Sequence, residues 1–157
     1  MDEERETHSF ENPAVPADLA EWLGAVRLTH LAFEAVQATG APLIGFRSEA
    51  GPDEYSFRML LTLLSYSYAR GIYGSDEIQD RVRTDADLRY LCAFEFPNAM
   101  TLRQFRRREW TRLQATLAGL LRLATGAGEQ EGWFNADAEA AARLERAAAA
   151  DSLALDY

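Results

Sequence analysis

Residues 54–70, EYSFRMLLTLLSYSYAR, constrain the fold more than any other stretch of this chain. Wound at about 100° per residue, Phe57, Met59, Leu60, Leu61, Leu63, Leu64, Tyr66 and Tyr68 cover nearly every face. A helix that is apolar all round must be enclosed by other elements. The segment therefore predicts a central buried helix with further helices packed around it. Its dense apolar part, Met59 to Tyr68, is broken by Thr62, Ser65 and Ser67 and is too short to span a bilayer, which takes about 20 residues. The chain has 157 residues, enough for one domain with a sizeable core.

The flanking sequence supplies the enclosing helices. Pro13 and Pro16 lead into a helix predicted from about Pro16 to Thr39, with Asp18 and Glu21 in its first turn and Gly40 as its stop. Leu19, Trp22, Leu23, Val26, His30 and Phe33 would share its buried face, which makes His30 a core histidine. Residues 41–53 read as a loop around Pro42, Gly45, Gly51 and Pro52, with a short strand at Leu43 to Phe46 as an alternative. Gly71 ends the central helix. Ser75 is placed to cap a third helix, Asp76 to about Arg83, and Thr84 or Asp85 a fourth. Pro97 and Asn98 break the chain before a basic helix that Thr101 would cap and that runs on to Ala124. Gly126 and Gly128 close it. A last, alanine-rich helix is expected from Asn135 to Ala150, with acids early and Arg143 and Arg146 late. The fold class is all-α, with about five to six helices. Residues 1–15 read as an acidic tail, 16–128 as the helical domain, and 129–157 as linker and C-terminal helix.

Composition narrows the chemistry. Cys92 is the one cysteine, and His8 and His30 are the two histidines. An internal disulfide and a zinc site of the usual cysteine/histidine kind are thereby excluded. The opening MDEERETHSFE lacks the basic and apolar regions of a secretory signal, so a bacterial-type cytoplasmic location is expected. The formal net charge is -9, unevenly spread. Residues 1–21 carry seven carboxylates against Arg5, whereas residues 101–125 carry six arginines against Glu109. Such a balance opposes broad coating of DNA and leaves a focused contact open.

That focus would be TLRQFRRREWTRL, Thr101 to Leu113. On a helical wheel Leu102, Phe105, Trp110, Leu113, Leu117, Leu120 and Leu121 fall in one arc. Arg107, Arg108, Arg112 and Arg122 lie opposite, and Arg103 lies at the border. Arg106 points into the apolar arc, which predicts a partner in a buried carboxylate or a backbone carbonyl. A helix of this layout can pack by one face and offer guanidinium groups to phosphates with the other. It is equally the layout of a solvated amphipathic helix.

An ordered series of short motifs adds to this reading. Arg58, Met59, Leu60 and Leu61 are followed by Leu63 and Leu64, Tyr68, Gly71, Ile72, Ser75 and Ile78. Then come Asp85, Leu88, Arg89, Tyr90 and Leu91, and finally Pro97, Thr101, Phe105, Arg106 and Arg107. The series resembles the N-terminal helical domain of bacterial DDE transposases of the insertion-sequence-five and related groups. The chain departs from them at Phe57, where they often have proline, and at Thr62, where a basic residue is common. Gly74, Ser75, Asp76 and Glu77 stand where Ser-Ser-Arg is frequent. In such transposases this domain precedes an RNase-H-like catalytic domain and helps to recognise transposon ends. After Gly128 only 29 residues remain, too few for that catalytic domain. The resemblance therefore implies a non-catalytic module without a cofactor. Asp76, Glu77, Asp80, Asp85 and Asp87 are read as helix caps and as partners of Arg81, Arg83 and Arg89, not as a metal site.

Two functions follow as expectations. One is contact with duplex DNA, such as a transposon end, through Arg103, Arg107, Arg108 and Arg112. The other is a protein-interaction module, paired with itself or with a transposase, in which Trp110, Leu117 and Leu121 form the interface. No membrane partner is expected.

Overall fold

The computed structural model describes residues 15–49, 51–126 and 134–155. It is all-α apart from one two-stranded ribbon. Among the described residues there are eight helices: α1 (Ala20–Leu23), α2 (Ala25–Ala38), α3 (Phe57–Ala69), α4 (Ser75–Arg81), α5 (Ala86–Leu91), α6 (Ala99–Arg108), α7 (Trp110–Thr125) and α8 (Ala136–Leu155). The number exceeds the five to six expected because two predicted helices are each divided. Gly24, at φ 84°, separates α1 from α2, and Glu109, at φ -111° and ψ 30°, separates α6 from α7. None of these helices is long and apolar enough to cross a membrane.

The centre is α3, as its sequence requires. Every residue of it except Arg58 is buried. Ser56 caps it, its Oγ accepting from the Met59 N–H at 3.2 Å. Gly71, at φ 77°, turns the chain away at the other end. A Cβ there would meet the Ala17 carbonyl oxygen at 2.9 Å, so glycine is needed for both conformation and space. α2 and α7 pack against α3 and against each other.

α2 buries a different face from the expected one. Leu28, Thr29, Ala32, Ala35 and Val36 are inside, while Val26 is 74% exposed and Phe33 40% exposed. His30 is exposed and is not a core histidine. The reason is the close approach of α2 to α7. A Cβ on Gly119 would lie 4.0 Å from the Ala35 Cβ. Helices can come this near only across small side chains, so α2 turns Ala35 and Ala32 inward with Leu28 and Val36 to either side, and Val26 and Phe33 stay out.

β1 (Gly45–Arg47) and β2 (Glu54–Ser56) pair antiparallel, with Phe46 opposite Tyr55 and Arg47 opposite Glu54. In each strand only the middle residue is buried, which puts Phe46 and Tyr55 on the core side. The strand alternative at Leu43 to Phe46 thus falls two residues early.

α8 belongs to the same core. Ala140, Leu144 and Ala147 are fully buried with Phe134 and Ala136 beside them, and α8 packs on α7, α3 and α4. Asn135 caps it as expected, accepting from the Ala138 N–H at 3.0 Å. Its Arg143, 1% exposed, donates to the carbonyls of Tyr68 (2.8 Å), Ala69 (3.1 Å), Ala17 (2.9 Å) and Pro16 (3.1 Å), and to Glu139 (2.8 Å). Carbonyls at the end of a helix have no partner within it; one guanidinium satisfies two of those of α3 and ties down the entry to α1. The expected acidic tail, residues 1–15, lies outside the described residues but for Val15, as does Gly128.

Candidate nucleic-acid interface

The basic stretch is a corner, not one straight helix. Asn98, rather than Thr101, caps α6, accepting from the Thr101 N–H at 2.8 Å. The bend at Glu109 occurs without glycine or proline. It lets α6 lie on α4 while α7 crosses α2, α3 and α8. Phe105 anchors the corner from inside, in edge-on contact with Phe46 of β1 and Phe57 of α3, both at 5.0 Å. Such pairs contribute about 0.5–1.5 kcal/mol beyond their burial. The ribbon is thereby fixed beside the arginines, a juxtaposition that strands three residues long could not announce in sequence.

The five arginines of the stretch divide by depth. Arg106 is buried at 5% exposure, and its Nη2 donates to Asp151 at 2.8 Å. That is the buried carboxylate its place in the apolar arc requires. Asp151 also accepts from the N–H and Oγ of Ser75, both at 2.8 Å. One carboxylate of α8 thus joins the start of α4 to α6. Arg103, expected to face DNA, is buried at 8% exposure, with Asp76 at 3.8 Å. α4 packs over it, because Arg103 lies at the edge of the packed arc.

Arg107 and Arg108 are exposed in the last turn of α6. Cations at a helix C-terminus are favoured by the dipole. Among the described residues Arg107 has no ion pair. Arg108 lies over the Phe46 ring, 5.2 Å from its centroid, with Glu49 at 3.7 Å and the Arg47 carbonyl at 3.5 Å. Arg112, partly exposed, stands over Phe57 with Glu109 at 3.7 Å. Arg47 of β1, which the sequence reading did not single out, is exposed beside them and pairs with Glu54 at 3.6 Å. Three of the four expected arginines therefore sit at one corner, joined by Arg47.

The proposed protein interface does not stay together. Leu117 and Leu121 are fully buried in the core and Trp110 is partly buried against it. The leucines face α2, α3 and α8, so they are unavailable to a partner.

The acidic residues behave as local partners. Glu77 and Asp85 both pair with Arg81, at 3.1 and 2.9 Å. Arg83 instead lies over Phe96 at 4.8 Å. Asp87 joins a network missed in sequence: it accepts from Tyr66 and, at 2.8 Å, from Arg70, which also pairs with Asp18 at 3.1 Å. Burial alone would raise the Asp87 carboxyl, but the Tyr66 hydrogen bond and the Arg70 charge outweigh it and hold it below the usual range. Burial, then the hydrogen bond to Asp87, pushes the Tyr66 hydroxyl well above the ordinary tyrosine value. Among the described residues no three acids, histidines or cysteines are grouped to hold a metal ion.

A family described as transposase domain (DUF772) matches residues 28–108, just over half of the chain. The match runs from α2 to the last residue of α6 and so includes the ribbon and the exposed arginine pair. No curated protein and no solved structure matches.

Proposed function

This chain belongs to the DUF772 transposase-domain family, and from that premise we propose that it is a transposase-derived, non-catalytic module that contacts duplex DNA. The contact is made by Arg107, Arg108 and Arg112, with Arg47 of the ribbon at their side. The observation that carries this reading is the exposed arginine pair closing α6 beside a third, exposed arginine from β1, within a chain of net charge -9. The existing acid partners do not block it. Glu49, Glu54 and Glu109 stand 3.6–3.7 Å from their arginines, and exposed pairs of this kind contribute about 0–1 kcal/mol. A phosphate offers the guanidinium fork a bidentate and stronger contact.

Withdrawal of Arg103 lowers the expected salt dependence. Three phosphate contacts give a slope of log K against log salt of about -2.7, so affinity should fall about 40-fold between 50 and 200 mM salt. The test is fluorescence anisotropy on a labelled duplex from the flanking genomic region at those two concentrations. Arg107→Glu/Arg108→Glu should abolish binding without unfolding the domain, since both side chains are exposed. Binding that ignores salt, or survives the double substitution, refutes the assignment.

A second reading, a protein-interaction module with no DNA contact of its own, is favoured by one specific observation. Val26, Phe33, Tyr90 and Phe94 are large apolar residues between 40% and 74% exposed.

A further inference from the structure

The outward face of α2 carries a pattern that is complementary to itself. Val26 and Phe33 stand two turns apart on it, and Tyr90 of α5 extends the surface, its ring edge-on to Phe33 at 6.2 Å. Between Val26 and Tyr90 lies an open cleft of about 490 Å³ lined also by Thr29, His30, Arg70 and Asp87. Beside this apolar stripe run Arg27 and Glu34. Both are exposed, and among the described residues neither pairs with another charge. Seven residues apart at about 100° per residue, they project on the same flank of the helix.

Opposite charges on one flank have a geometric consequence. When two identical helices pack antiparallel, each flank meets the same flank of the other copy. Centred near His30 and Leu31, such a pair sets Arg27 against Glu34 of the second copy and Glu34 against its Arg27. A parallel pair would turn the opposite flank of the second copy toward Arg27 and Glu34 and leave both without a charged partner across the contact. We infer that the α2 face is the self-association surface of this protein, closed by a two-fold antiparallel α2–α2 contact with two reciprocal Arg27–Glu34 pairs. The interface is isologous, as two-fold dimers require. It is independent of the DNA contact, since the arginine corner lies on α6, α7 and β1. One helix face with a few neighbours sits at the small end of stable interfaces, so the dimer is expected in the micromolar range.

Sedimentation velocity on the whole chain tests this, with circular dichroism to verify that each variant keeps its helices. The native protein should pass from monomer to dimer between about 1 and 200 μM. Val26→Glu should remain monomeric across that range. Arg27→Glu and Glu34→Arg should each weaken association at least tenfold, because each turns both pairs repulsive. An equimolar mixture of these two variants should dimerise again, because the mixed pair restores both attractions. A native protein that stays monomeric at 200 μM overturns the inference, as does a dimer indifferent to Val26→Glu. Failure of the mixture to recover overturns the antiparallel register.

Discussion

Asp151→Ala tests whether α8 is fastened to the rest of the domain as its contacts indicate. The carboxylate is 2% exposed and accepts three hydrogen bonds at 2.8 Å, two from Ser75 and one from Arg106. Its removal leaves the Arg106 guanidinium buried and unpaired, which costs about 3–5 kcal/mol. The Ser75 N–H and hydroxyl lose their partner as well, at about 1–3 kcal/mol for each buried group left unsatisfied. These costs overlap, because water entering the space of the carboxylate would serve several donors, so the expected loss is about 4 kcal/mol. At about 2–4 °C per kcal/mol for a chain of this size, the thermal midpoint should fall by roughly 8–16 °C. Urea unfolding followed by helical circular dichroism gives the free energy directly. Asp137→Ala is the comparison. Its pair with Arg122, at 2.9 Å, is 69% exposed on the acid side, and its loss should cost under about 1 kcal/mol. In Arg106→Met/Asp151→Leu the unpaired charge is gone, so part of the loss should return while the Ser75 donors remain unsatisfied. A cost below about 1.5 kcal/mol for Asp151→Ala would refute the fastening, as would a double variant no better than the single one.

Two further perturbations separate other forces. Gly71→Ala forces a Cβ to 2.9 Å from the Ala17 oxygen at φ 77°, and should cost about 2 kcal/mol or more, whereas Gly126→Ala, at φ 74° with open space around it, should cost about 1 kcal/mol. Equal urea midpoints for the two would show that the Ala17 contact is soft. Asp87→Asn should destabilise by about 1–2 kcal/mol at pH 7. The folded-state value of Asp87 is depressed, so its contribution is complete above the unfolded value, about 3.9, and is lost as pH falls through the folded one. The gap between native and variant should therefore close below about pH 4 in urea titrations; a gap that stays constant down to pH 3 rules the linkage out.

The central helix was legible because nothing but burial explains eight large apolar side chains on all faces of one turn-forming segment. The burial of Arg106 was legible for the same reason, since its neighbours on the wheel defined an inside. α2 was misread because a wheel weighs residues by size. Ala35 faces inward against Gly119 of α7, an approach that the sequence of α2 alone does not contain. The bend at Glu109 has no local signature either. It arises where α6 and α7 serve different neighbours, and it divides an arginine face that looked continuous. Arg103 stood at the border of that face, and only the position of α4 decided its side. Arg47 joined the arginine corner through a three-residue strand, too short for alternation to register.

Arg143 reaches from α8 to the carbonyls that end α3 and to Pro16 and Ala17, more than 120 residues away in sequence. Its reach bears on what can fold as a unit. The family match stops at residue 108, yet a chain cut there would lose the Arg143 guanidinium and the buried leucines of α7, and would leave the Tyr68 and Ala69 carbonyls to the N–H groups of Gly71 and Leu19 alone. A fragment that is to keep this fold therefore has to carry the stretch through α8, or another element that places a cation at the same spot. The border of the folding unit thus lies at α8, beyond the matched segment.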